Sequence, residues 1–163
     1  QIFLESSLFF EGQRPAVNVG LSVSRVGGAA QTKAMKKAAG SIRIDLAQFR
    51  EMEVFTQFAS DLDNATKEQL QHGHVLMELL KQPLCRPLSM AEQVMTLCAA
   101  NGRVMLDVPV DHVKDFQMQF LSYMKEQHSD IVRQLETTKA LDDELNKQIC
   151  DAAEKFKKEF LQK

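Results

Sequence analysis

Residues 64–83 read NATKEQLQHGHVLMELLKQP and carry the signals of one complete amphipathic helix. Asn64 belongs to the residue types that cap a helix N-terminus, because its side chain accepts a backbone hydrogen bond. Pro83 cannot continue a helix and ends it. The apolar residues between them fall on one face: Val75, Leu76, Leu79 and Leu80. Such a face must be buried on another apolar surface, so this stretch predicts packed helices.

Similar signals recur after residue 28, where glycine becomes rare. A helix is expected over 29–39, with Gly40 in the glycine-favoured position after its end. Ser89 and Glu92 are spaced as a capping box and open another helix, which ends at Gly102. Asn64 and Ser89 thus mark the starts of helices, and Gly40 and Gly102 mark the ends of helices.

Apolar stripes at helical spacing follow most of these boundaries. After Gly40 the stripe is Ile44, Ala47, Val54, Phe55 and Phe58. A later helix carries Val113, Phe116, Phe120, Leu121 and Met124. Ile131 and Leu135 either continue this helix or belong to another one after a break near Ser129. Asp142 or Asp143 caps the last helix, whose stripe is Leu145, Ile149, Ala153, Phe156 and Phe160. We predict an all-α fold: a helical bundle over residues 29–163, preceded by a short strand and loop over residues 1–28.

The first 28 residues have a different character, with four glycines and an alternation of apolar and polar residues after Pro15. Ile2-Phe3-Leu4 predicts a short buried strand that starts abruptly at Gln1. A lone strand has no partner to pair with, so we expect the chain to be a piece of a longer one whose sheet lies elsewhere.

The composition excludes several classes of function. A net charge of −2 predicts no general affinity for nucleic acid or for anionic lipid. No apolar run is long enough to span a bilayer, so membrane association is expected only through a partner. Three widely spaced cysteines form neither a disulfide framework nor a zinc motif, which favours a reducing compartment. His72-Gly73-His74 lacks a third nearby ligand and predicts a solvated helix segment, so no metal site is expected.

Arg25 lies in the stretch VNVGLSVSRVGGAAQT, residues 17–32, among glycines and serines at the entrance to a helix. The nearest preceding acid is Glu11, and no acid occurs in the ten positions that follow. One interpretation is a guanidinium offered outward to a phosphate or carboxylate. The other is a turn whose arginine pairs with a distant acid inside the fold.

Residues 14–32 closely resemble alpha subunits of the F-type rotary ATP synthase. The resemblance covers the first half of the sequence and continues through AMKK (34–37), LAQFRE (46–51), FASDLD (58–63) and LLKQ (79–82), then fades to helical pattern and Glu92-Gln93. It implies a ring of three alpha and three beta subunits around a gamma rotor, driven by a proton or sodium gradient. Residues 1–28 would then be the end of a nucleotide-binding domain. The ring would sit peripherally on the cytoplasmic face of a bacterial inner membrane, or on the matrix or stroma side in an organelle.

Specific residues acquire roles from this resemblance. Arg25 matches the arginine finger that reaches the catalytic site of a neighbouring beta subunit. Arg14 and Pro15 match positions near the adenine of a non-catalytic site, which would bind ATP or ADP with Mg in the full subunit. Gln82 matches another adenine position, unless it is an ordinary surface residue at a helix end. Leu84 stands where the family commonly has a second glutamine, so the expected polar contact is missing.

The resemblance also implies a loop that faces the rotor, formed by Phe58, Ser60, Asp61 and Asp63. Helix capping by Ser60, Asp61 or Asp63 is the simpler role for these residues, and both can hold. No phosphate-binding glycine loop is present, because Gly28-Ala-Ala-Gln-Thr-Lys33 lacks the second glycine. The isolated chain is therefore expected to bind no nucleotide firmly and to be inactive. The alternative function is a stand-alone helical interaction module with an anion-binding glycine loop.

Overall fold

The computed structural model describes residues 1–56 and 63–162, and within them nearly all regular structure is helical, which confirms the predicted all-α class. A 3₁₀ turn at Val110–His112 is the only other helical element among these residues. The α-helices are α1 (Ser6–Phe10), α2 (Arg25–Ala30), α3 (Lys33–Ala38), α4 (Ile42–Thr56), α5 (Asn64–Leu80), α6 (Met90–Asn101), α7 (Val113–Gln127), α8 (Ser129–Thr138) and α9 (Asp143–Phe160).

Helices α3–α9 form the bundle and share one hydrophobic core, and α6 lies at its centre in contact with α3, α5, α7, α8 and α9. Phe116 and Phe120 of α7 are completely buried in it, and the ring of Phe116 lies 5.2 Å from that of Phe156 on α9. The stripe predicted for α7 is buried at all five positions. In the α9 stripe only Phe160 is partly exposed, so both apolar faces are confirmed.

The predicted caps explain where several helices begin. At α6 the capping box is complete: Ser89 N donates to Glu92 Oε2 at 2.6 Å, and Glu92 N donates to Ser89 Oγ at 3.3 Å. Asp142 caps α9 by accepting from the backbone of Leu145. The N-cap of α5 is Asp63, one residue before the predicted Asn64.

The apolar face predicted for α4 is wrong. Ile44 and Val54 are exposed, whereas Ile42, Leu46 and Phe49 are buried. These three recur at spacings of four and three, and this is the face that packs on α5. The side chain of Phe55, and all of Phe58, lie outside the described residues.

The segment before the bundle is more helical than predicted. The strand expected at Ile2-Phe3-Leu4 is reduced to one antiparallel bridge between Leu4 and Val17, and its apolar side chains are exposed. The helix expected over 29–39 is divided into α2 and α3. The division occurs because Thr32 accepts a hydrogen bond from the backbone of Met35 and starts a new helix there.

Candidate functional site

Arg25 is the first residue of α2, and its presentation depends on the turn just before it. Ser24 has an extended backbone, and its Oγ accepts a hydrogen bond from Gly27 N at 2.9 Å. A Cβ on residue 27 would lie 3.1 Å from that Oγ, so glycine allows the cap to close tightly. The cap thus directs the backbone into the helix at Arg25.

The side chain of Arg25 is exposed and forms no hydrogen bond or ion pair with any residue in the described ranges. Exposed apolar side chains surround it in the sequence: Leu21, Val23 and Val26 are 58%, 57% and 79% exposed. Because no carboxylate among residues 1–56 and 63–162 reaches it, the outward-facing interpretation fits this geometry better than the internal pair. The combination of an unpaired cation and bare apolar groups is typical of a surface that another molecule covers.

Arg14, Pro15 and Gln82 are far apart in the sequence, but the fold brings them together in one open cleft of ≈ 760 Å³. The backbone N of Gln82 donates to the carbonyl O of Arg14 at 2.8 Å. The Arg14 guanidinium lies 4.4 Å from the centre of the Phe9 ring, a cation–π contact that orients the arginine. The remaining lining residues are Ala16, Pro83, Leu84, Cys85, Arg86 and Pro87.

Leu84 and Cys85 form the rim of this cleft, in the loop that follows α5. Leu84 is 91% exposed, and Cys85 has a left-handed backbone with φ of 57°. The cleft therefore offers apolar surface at its rim, and Arg14 and Gln82 line it beside the backbone hydrogen bond that joins them.

Lys114 fixes the C-terminal end of α5, just before Gln82, a role that sequence reasoning missed. Its Nζ donates to the carbonyl O atoms of Leu79, at 3.0 Å, and Lys81. It also reaches Gln117 Oε1 at 3.0 Å. These acceptors satisfy the ammonium group, while burial lowers the pKa of Lys114. No local pattern reveals this contact, because α5 and α7 meet only in the folded bundle.

Of the residues expected to face a rotor, Phe58, Ser60 and Asp61 lie outside the described residues. Asp63 is exposed at the N-cap of α5 and accepts a hydrogen bond from Thr66 Oγ1. This bond lowers the pKa of Asp63, so the carboxylate stays charged at neutral pH. Asp63 thus occupies a capping position and still presents a negative charge to solvent.

The histidine pair in α5 is only half solvated. His74 is exposed against the edge of Phe49, but His72 is 4% exposed, which corrects the predicted solvated segment. His72 Nε2 lies 3.9 Å from Asp45 Oδ2 on α4, and burial lowers the pKa of His72. Across the described ranges, no three metal-ligating side chains come together. Nor does any helix found there have the length and apolarity to cross a membrane.

Comparison with known proteins gives matches over most of this chain. Residues 31–156 match the family described as ATP synthase alpha/beta chain, C terminal domain. ATP synthase subunit alpha of Petrotoga mobilis is 54% identical over 156 residues, which are 96% of this chain and 31% of that protein. ATP synthase subunit alpha of Clostridium kluyveri is 50% identical, over 99% of this chain and 32% of that protein. The subunit alpha of Rickettsia bellii is 48% identical, over 99% of this chain and 31% of that protein. The chain thus spans about a third of the length of the relatives it matches.

Proposed function

Because this protein belongs to the family of C-terminal domains from ATP synthase alpha and beta subunits, we propose that it works as the C-terminal part of an ATP synthase alpha subunit. The relatives named above are alpha subunits, which supports alpha over beta. In this proposal residues 1–28 belong to the nucleotide-binding domain and residues 29–163 to the helical domain. The family match from residue 31 onward supports a boundary near that point.

The central proposal is that Arg25 is an arginine finger for the catalytic site of a neighbouring beta subunit. The observation that carries it is the exposed, unpaired guanidinium among exposed apolar groups, with no acid in reach within the described ranges. Phosphoryl transfer accumulates negative charge on phosphate oxygens in the transition state, and a fixed guanidinium stabilises that charge. An arginine supplied from a neighbour also makes the rate depend on the subunit interface, which a rotating gamma shaft can open or close.

The cleft around Arg14, Pro15 and Gln82 is proposed as the adenine side of a non-catalytic nucleotide site. Its apolar walls suit a flat purine ring, and the Gln82 amide has both a donor and an acceptor for the ring edge. ATP or ADP with Mg would bind in the full subunit. In this proposal the phosphate and Mg contacts come from other parts of that subunit.

The partners in this proposal are beta subunits and the gamma rotor, with neither nucleic acid nor direct insertion into a membrane. The acidic stretch that ends at Asp63, with Phe58, Ser60 and Asp61, would face basic rotor residues. The complex would be a peripheral ATPase, coupled to protons or sodium, on the cytoplasmic face of a bacterial inner membrane or its organellar equivalent.

Arg25→Ala in the full alpha subunit, assembled with beta and gamma, tests the central proposal. Multi-site ATP hydrolysis should fall by ~10³ or more, the scale of an arginine finger. Arg25→Lys should restore only part of the rate, because a point charge cannot reproduce the planar fork. Nucleotide binding to beta should change far less than turnover, since the interaction strengthens in the transition state.

Arg133→Ala is the matched control. Arg133 is also exposed and has no bonding partner within the described ranges, but it lies on α8 of the bundle. This variant should keep the normal rate. If Arg25→Ala assembled normally and kept more than about half of the multi-site rate, the finger assignment would be wrong.

A further inference from the structure

The loop that leads to Arg25 is organised around the buried side chain of Asn18. Asn18 Oδ1 accepts hydrogen bonds from Leu21 N at 3.0 Å and from Arg50 Nη1 at 3.2 Å. Its amide Nδ2 donates to Glu5 Oε1 at 2.7 Å, and its backbone O accepts from Ser22 N at 3.0 Å. Through these bonds Asn18 joins the turn of this loop to one arginine of α4.

A second arginine of α4 holds the same loop. Arg43 Nη2 donates to the carbonyl O of Gly20 at 3.2 Å. Arg43 and Arg50 are seven residues apart, so they lie two turns apart on one face of α4. A Cβ on residue 20 would lie 3.3 Å from Asn18 Oδ1 and 3.9 Å from Arg50 Nη1, so glycine lets the loop approach closely.

We propose that Arg50, through Asn18, is a positioning residue that sets where the Arg25 guanidinium points. This inference rests on the proposed finger role of Arg25. The bond between Arg50 and Asn18 is charge-assisted and half-buried, which makes it stronger than a bond between neutral groups. This bond holds the turn only a few residues before the Ser24 cap. Its loss should therefore let the backbone at Arg25 move. A misplacement of about 1 Å is enough to slow catalysis ~10²-fold.

The test is a double-mutant cycle in the full alpha subunit assembled with beta and gamma. Arg50→Met should lower kcat by about 10- to 100-fold and leave KM for ATP within about twofold, because positioning affects the transition state more than ground-state binding. Arg50→Lys should restore part of the rate. In the Arg25→Ala background Arg50→Met should have no further effect, because Arg50 acts only through the finger.

Arg133→Met is the control for the same chemical change at an exposed arginine in the bundle, and it should keep the normal rate. If Arg50→Met slowed the Arg25→Ala enzyme as much as the normal one, Arg50 would act independently and the inference would be overturned. A normal rate for Arg50→Met beside a slow Arg25→Ala would overturn only this inference. A normal rate for Arg25→Ala would instead overturn the proposed finger.

Amide hydrogen exchange on the full subunit decides the question even if the Arg50→Met variant does not assemble. Exchange at Leu21 and Ser22 should become faster, since their hydrogen bonds to Asn18 define the loop, while exchange in α7 should stay slow. Faster exchange throughout the bundle would assign Arg50 a general structural role and overturn the inference. Unchanged exchange at Leu21 and Ser22 would overturn it as well.

Discussion

The bundle of α3–α9 and the segment of residues 1–32 use apolar side chains in opposite ways. The bundle buries its apolar faces within itself, whereas Leu8 is the only buried apolar residue in the segment 1–32. That segment instead exposes Ile2, Leu4, Phe10, Leu21, Val23 and Val26 by more than half. The segment also carries Arg25 and four of the ten residues that line the cleft. The stability of this protein therefore comes from the bundle, while its candidate functional surfaces lie where burial is incomplete.

The strongest test of this contrast compares two phenylalanines. Phe116 is fully buried among the rings of Phe120, Phe156 and Phe160, so Phe116→Ala leaves a cavity. It should lower the free energy of unfolding by about 3–5 kcal/mol in urea titrations. Phe10 is 84% exposed, so Phe10→Ala should change the free energy of unfolding by less than about 0.5 kcal/mol. Equal losses would remove the distinction between the two regions.

Two glycines give a smaller test with the same substitution. A Cβ on Gly73 would lie 2.1 Å from Phe49 Cδ2, so Gly73→Ala must push α4 and α5 apart. The expected loss is about 1–3 kcal/mol of unfolding free energy. Gly28 of α2 has no atom within 4 Å of such a Cβ, and Gly28→Ala should be neutral or slightly stabilising. A tolerated Gly73→Ala would mean that the packing of these two helices readily adjusts.

The serine caps of α6 and α2 provide a third comparison. Ser89→Ala should cost about 1 kcal/mol, because α6 is central to the bundle and loses half of its capping box. Ser24→Ala removes an equivalent bond from α2, which has no buried residue, so global unfolding should be almost unchanged. Thermal melts of both variants measure this. A comparable drop in Tm for Ser24→Ala would show that α2 unfolds together with the bundle.

The last test concerns the protonation of His72, which perturbs the bundle least because it adds only one proton. Burial lowers the pKa of His72 in the folded protein, whereas the unfolded protein binds this proton below about pH 6.5. The unfolded state therefore binds more protons, and stability should fall as the pH drops below 6.5 towards the folded-state pKa. His72→Gln should reduce this acid loss, and His74→Gln, at an exposed site, should retain it. Unfolding curves between pH 7.5 and pH 5 distinguish the two, and an identical slope for both variants would contradict the assignment.

Sequence reasoning succeeded where the signal was local and failed where packing chose between alternatives. The α7 stripe and the Ser89–Glu92 box were predicted correctly, because each is complete within a few residues. The face of α4 was wrong, since several apolar residues compete there and Gly73 on α5 selects the one bearing Phe49. The break at Thr32 was missed because alanines on both sides favour a continuous helix.

The candidate sites show the same division. The all-α class, Arg25 at a helix start and Gln82 just after a helix end could be predicted from local sequence. The contacts of Gln82 with Arg14, of Lys114 with the end of α5 and of Arg50 with Asn18 could not. The two groups differ in the distance over which their interactions act. Caps and stripes act over one or two turns, whereas these contacts join residues whose proximity exists only after the helices have packed.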